Sequence, residues 1–226
     1  MFKPDGKRTI DVLRFPSPVS YSYAYEKQTE RLLAIEAGTE PNALFLLEHT
    51  PTFTFGRSSH EENLLASQKE LVKMGIAIER VDRGGDITYH GPGQLVAYPI
   101  LNLEYWTKSV QWYLRMLEDV IIDVLARYAI RGERVKGYTG VWVNGAKIAA
   151  VGIGIRQWVT YHGVSINLTP NIDHWSLIVP CGIPDKPVAC LHQFLESPPS
   201  MDELMDVFEE TFLHRCAISV PSDPVG

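Results

Sequence analysis

Strand-like and helix-like segments follow one another along this chain in no regular βαβα order, and that irregularity narrows the possible folds first. Residues 9–15 read as a strand. Residues 20–37 read as a helix, with Tyr21, Tyr25, Gln28, Leu32 and Ile35 on one side and Gly38 as its stop. Strands at 43–48 and 52–55 flank His49-Thr50-Pro51. A short helix at 68–74 closes at Gly75, and a strand at 76–81 feeds a glycine-rich turn. Further strands are expected at 86–89 and 95–101. The clearest helix runs over 109–128, where Val110, Tyr113, Leu114, Leu117, Val120, Ile121, Val124 and Leu125 recur at helical spacing behind the cap Ser109. Strands at 140–143, 146–155 and 159–168 come next. Asn144-Gly145 joins the first two, since a type I′ turn needs positive φ at both central residues. A last helix, 201–215, opens with the capping box Ser200 and Glu203. The order predicts an α+β fold with a mostly antiparallel or mixed sheet. A single domain over residues 1–226 is expected, with no internal repeat and no linker. Prolines 180, 184, 187, 198 and 199 mark a long loop region.

Composition excludes several classes. The net charge of −6 argues against non-specific nucleic-acid binding. No run of 18 apolar residues offers a membrane span, and the first eight residues lack the apolar stretch of a signal peptide, so a cytoplasmic protein is expected. Three cysteines (Cys181, Cys190, Cys216) without metal-like spacing argue against a disulfide framework and a zinc site; Cys190 and Cys216 read as core thiols. One basic cluster stands out: Arg127, Arg131, Arg134 and Lys136. It suits either a solvated helix end or a dock for an acidic protein partner.

Three segments carry the candidate chemistry. The stretch from Arg83 to Gln94 holds four glycines, a proline, an arginine and a histidine within twelve residues, so a ligand can approach its backbone closely. Cys181 sits between Pro180 and Gly182, in a loop with little side-chain crowding. A reactive cysteine needs a neighbour that stabilises its thiolate. Lys147, just beyond the Asn-Gly turn, is the candidate ammonium. It would depress the thiol pKa and then move protons as base and acid, although a lysine snorkelling from a strand end explains the same pattern. Gly163 and Ser165 would let a substrate lie against their strand. His162 suits a structural hydrogen-bonding role better than that of a Cys–His partner, and His90 is a weaker candidate base than Lys147.

At these residues the chain resembles a known family. Arg83-Gly84-Gly85-Asp86-Ile87-Thr88-Tyr89-His90, with Gly91-Pro92-Gly93-Gln94 after it, resembles the signature of the lipoyl(octanoyl) transferases, which move octanoyl from octanoyl-acyl-carrier protein to proteins. Lys147-Ile148-Ala149-Ala150-Val151-Gly152-Ile153, Gly163-Val164-Ser165-Ile166-Asn167-Leu168 and Pro180-Cys181-Gly182-Ile183 resemble its later blocks, and the likeness spans roughly residues 10–215. The resemblance implies a mixed sheet flanked by helices, as in biotin and lipoate ligases. It implies that Cys181 attacks the thioester and holds the acyl group while Lys147 lowers its pKa. It also implies that Arg83, Gly84, Gly85, Asp86, Ile87, Thr88, Tyr89, His90, Ala150, Val151, Gly152, Gly163, Val164 and Ser165 line the acyl and pantetheine site. Acyl-carrier protein is the implied donor. Lipoyl domains of 2-oxoacid dehydrogenase E2 subunits and the glycine cleavage H protein are the implied acceptors. No ATP, metal or other cofactor is expected, because the incoming thioester is already activated. Both protein partners are expected to be acidic, which would give the basic cluster a purpose.

Two other readings stay open on the same residues. An ATP-dependent lipoate or biotin ligase of this fold also uses an Arg-Gly-Gly turn and a lysine, but it needs no nucleophilic cysteine. An acyl-binding scaffold without catalysis would keep its function after loss of Cys181.

Overall fold

The computed structural model describes residues 6–16, 18–180 and 187–218. Its framework is a six-stranded mixed sheet in the order β1-β2-β6-β9-β8-β7: β1 (Ile10–Arg14), β2 (Asn42–Leu47), β6 (Gln94–Ile100), β9 (Val159–Asn167), β8 (Ala146–Arg156) and β7 (Val141–Val143). The β1–β2 pair is parallel, with helix α1 (Tyr21–Glu36) as its crossover, and every other pair in this sheet is antiparallel. A second sheet, β4-β3-β5, joins β4 (Ala77–Arg80) and β5 (Thr88–His90) to β3 (Thr52–Phe55), and α2 (Gln68–Met74) precedes β4.

Strands β2 and β6 are buried along their whole length, because helices cover both faces of the large sheet. The two-residue period divides their side chains. Ala43, Phe45, Leu47, Val96, Tyr98 and Ile100 pack with α1, whereas Leu44, Leu46, Leu95 and Ala97 join the larger core under α3 (Val110–Arg127) and α4 (Met201–Ile218). A third cluster, with Phe53, Phe55, Leu71, Ile87 and Tyr89, fills the small sheet.

The helices and strands fall where the sequence places them, with ends shifted by at most three residues. Ser20 and Ser109 cap α1 and α3 through their hydroxyls. Ser200 and Glu203 form the reciprocal box at α4, which runs on to Ile218. Asn144 and Gly145 adopt φ of 51° and 79°. Strand β5 starts at Thr88 because the Asp86 carboxylate accepts from the Ile87 amide and holds the chain in a turn. Among the described residues, no helix is long and apolar enough to cross a membrane.

Candidate active site

A cavity of about 380 Å³ lies between the glycine turn, the β8–β9 hairpin and the start of α3. Its size is that of a small-molecule site. The turn is fixed against β8 by a hydrogen bond from the Gly84 amide to the Ile153 carbonyl, 2.9 Å. A side chain would crowd this approach: a Cβ on Gly152 would stand 3.0 Å from the Gly84 carbonyl oxygen and 3.2 Å from Arg83 Cδ. Arg83 is buried, with Nε and Nη2 donating to the Thr54 hydroxyl and Nη2 also to the Thr54 carbonyl.

Of the residues expected to bind substrate, Arg83, Gly84, Gly85, Asp86, Thr88, His90, Ala150, Val151, Gly152, Gly163, Val164 and Ser165 line this cavity, as does Lys147. Ile87 and Tyr89 lie outside its lining. Side chains alternate along β5, so Thr88 and His90 face the cavity while Ile87 and Tyr89 turn into the core of the small sheet. The Tyr89 hydroxyl meets His174 Nδ1 at 2.8 Å instead.

The inner floor is a buried polar cluster that periodicity did not reveal. His162 has φ of 55°, a left-handed conformation rare outside glycine. That break in the strand brings its ring beside Tyr161, at 4.8 Å between centroids, rather than onto the opposite face. The His162 ring donates from Nε2 to Asp82 Oδ1 (3.0 Å) and accepts at Nδ1 from the Tyr21 hydroxyl (3.1 Å). His49 donates from Nδ1 to the Val19 carbonyl and accepts at Nε2 from the Tyr98 hydroxyl, 2.7 Å. His90 donates from Nδ1 to Gln94 Oε1, while Gln94 Nε2 donates to the Tyr89 carbonyl and to Asn167 Oδ1. These partners fix each tautomer.

Burial sets the charges. It lowers His49 to about 4 and holds His90 well below, and His162 below, their ordinary value. The hydrogen bond from His162 keeps the Asp82 carboxyl below the usual carboxylate range. A neutral His162 donating to an ionised Asp82 accounts for both directions. Burial raises Tyr21 and Tyr98. With both its ring nitrogens engaged, His162 has the hydrogen-bonding role the sequence favoured.

Lys147 stands near the start of β8, half-buried, with Nζ 5.2 Å from the centre of the Trp142 ring. Its amide donates to the Pro187 carbonyl and its carbonyl accepts from Ala189, so residues 187–189 run alongside it. Pro180 joins Lys147, Thr88 and Ser165 around a second, narrow pocket. The Val179 amide donates to the Asn63 carbonyl, 2.8 Å. Both flanks of residues 181–186 are thus anchored at the site. Cys181 itself lies outside the described residues.

The cavity also takes in Tyr21, Tyr98, Val110, Leu114 and residues 137–139. Tyr21, Val110 and Leu114 stand out in sequence as helix-face residues and Tyr98 as a strand residue, while residues 137–139 carry no signal. The rim at 137–140 is tied to α3, because buried Glu118 accepts from the Gly140 amide, Arg115 and Arg134. Arg134 also pairs with Asp119, and Arg127 with Glu210. Two of the four cations in the basic cluster are therefore engaged within the molecule. Cys190 and Cys216 are core thiols, pushed up by burial to about 11 and about 12.

Residues 20–213 match the family model described as the lipoyl protein ligase A/B catalytic domain. Among curated relatives, the octanoyltransferase of Clostridium kluyveri is 45% identical over 83% of this chain and 80% of its own length. The octanoyltransferase of Solibacter usitatus is 44% identical over 88% and 90%. The fold is that of a bi-partite lipoate protein ligase from Thermoplasma acidophilum, with TM-score 0.70, 16% identity, and coverage of 92% of this chain and 83% of that one. The chain belongs to the lipoyl protein ligase A/B catalytic-domain family and sits among its octanoyltransferases.

Proposed function

We propose that the protein transfers an octanoyl group from octanoyl-acyl-carrier protein to the lysine ε-amine of a lipoyl domain, through a thioester on Cys181 assisted by Lys147. The observation that carries this reading is the anchoring of both flanks of residues 181–186 beside Lys147, at the point where the cavity meets the narrow pocket. The relatives' shared name supports the acyl group and the reaction class.

The chemistry balances without an added energy source. The Cys181 thiolate attacks the thioester carbonyl carbon, the bond from that carbon to the pantetheine sulfur breaks, and the leaving thiolate takes a proton. The acceptor amine then attacks the Cys181 thioester and loses a proton as the amide forms, and the Cys181 thiolate leaves. Lys147 suits both steps, as the cation that favours the thiolate and as a proton carrier. The apolar part of the cavity, with Val110, Leu114, Val151, Ile153 and Val164, suits the alkyl chain. Each buried methylene contributes about 0.8 kcal/mol before binding costs. Neither ATP nor a metal takes part in this scheme. One domain over residues 1–226, working in the cytoplasm, suffices for it. The E2 lipoyl domains and the glycine cleavage H protein fit as acceptors.

Intact mass after mixing with octanoyl-acyl-carrier protein, without ATP, tests the reading. Wild type is expected to gain one octanoyl group that a free thiol removes, and Cys181→Ser to gain none that a thiol removes. Absence of an adduct, together with product formed from free octanoate and ATP, would establish a ligase instead.

A further inference from the structure

The wide cavity and the narrow pocket share four residues: Thr88, Lys147, Ala150 and Ser165. This junction contains an anomaly. Thr88 is 5% exposed, and its Oγ1 is buried with no hydrogen-bond partner among the described residues. Its neighbours are satisfied: Thr54 binds Arg83, His90 binds Gln94, and Asn167 donates to the Ala189 carbonyl. A buried hydroxyl left unpaired costs stability, so its persistence needs a reason. The strand that sends Ile87 and Tyr89 into the core aims Thr88 at the junction. Ser165 reaches the same point from β9. It is 4% exposed and lines both the cavity and the narrow pocket.

We propose that the Thr88 hydroxyl is a catalytic residue, donating a hydrogen bond to the thioester carbonyl oxygen as attack turns it into an oxyanion, with the Ser165 hydroxyl as the second donor. This assignment rests on the acyl-transfer reading above. A carbonyl held at the junction has its alkyl chain in the wide cavity and its carbon on the Lys147 side. Negative charge then develops on an oxygen facing two hydroxyls, and that of Thr88 has no hydrogen bond to break among the described residues. No covalent bond to Thr88 forms, and its proton is shared, not transferred. A single pre-placed donor of this kind changes a rate by about a hundredfold to a thousandfold.

The test is the single-turnover rate of acylation by octanoyl-acyl-carrier protein, followed by intact mass, alongside the urea midpoint of each variant. Thr88→Val keeps the branched shape and removes the hydroxyl; Thr88→Ser keeps the hydroxyl. The valine variant is expected to acylate about a hundredfold more slowly at saturating donor. Its half-saturation should not change, and it should be no less stable than wild type, since an unpaired polar atom is gone. The serine variant is expected to recover most of the rate. A valine variant within about threefold of wild type overturns the assignment, because a lost oxyanion donor costs far more. So does a rate loss that tracks lost stability and that serine does not rescue. Wild type that takes no acyl group overturns the acyl-transfer reading as well, and so separates the two failures.

Discussion

The Asp86 carboxylate accepts from the amides of Ile87 (2.6 Å) and His60 (3.3 Å) and from Asn63 Nδ2 (2.5 Å). Asn63 in turn accepts from the Val179 amide, one residue before Pro180. A side chain of the glycine turn therefore helps hold the segment that leads into Cys181. Asp86→Ala is expected to slow acylation by about tenfold or more and to lower stability by about 2 kcal/mol, the size of a lost hydrogen bond to a charged group. Single-turnover rates and urea unfolding check the two parts. At this scale the sequence shows much of the cavity lining, because glycines and a lysine beyond a tight turn are local signals. Tyr21, Asp82 and Tyr98 leave no such mark. They look like an ordinary helix-face residue, a turn acid and a strand residue, and only the strand order brings them together around His162 and His49.

Among the elements, the two hairpins around β8 show where pattern reading succeeds and where it stops. Asn144-Gly145 announces the first turn chemically, and Gly145 needs its φ of 79°. Gly145→Ala should destabilise by about 1 kcal/mol, the cost of a Cβ in the left-handed region, as read by a shift in urea midpoint. The second turn is built from Gln157 and Trp158, at φ of 46° and 66°, and neither residue favours that conformation. Tertiary contacts hold it: the Leu103 amide donates to the Trp158 carbonyl, and Lys108 Nζ lies 5.7 Å from the centre of the Trp158 ring. The strand boundaries were legible on both sides of this turn, but its conformation was not. The division into two sheets was equally hidden. Strands 52–55 and 95–101 read alike in sequence, and distant partners decide that one pairs with β4 and β5 and the other with β2 and β9.

Across the whole molecule, three histidines folded in neutral form tie stability to pH. The unfolded chain takes up protons at each of them below the ordinary value of 6.5, whereas burial keeps folded His49 neutral down to about 4. His90 and His162 shift in the same direction. Their contribution is complete above pH 6.5 and is lost as pH falls through the interval below it. His49 alone accounts for about 3 kcal/mol between 6.5 and 4. Urea midpoints should therefore drop steeply from pH 6.5 to 4, and His49→Gln should flatten part of that slope.

The same cluster bears on where protons move in the proposed transfer. Two of its relays run from the cavity lining to partners outside that lining, from Tyr21 to His162 to Asp82 and from Tyr98 to His49 to the Val19 carbonyl. Its histidines ionise only in acid, and Tyr21 and Tyr98 only above their ordinary value of 10. Around neutrality these side chains neither give nor take a proton, while the buried Arg83 guanidinium on the same wall keeps its charge. In the proposed transfer, proton exchange then falls to the Lys147 end of the cavity.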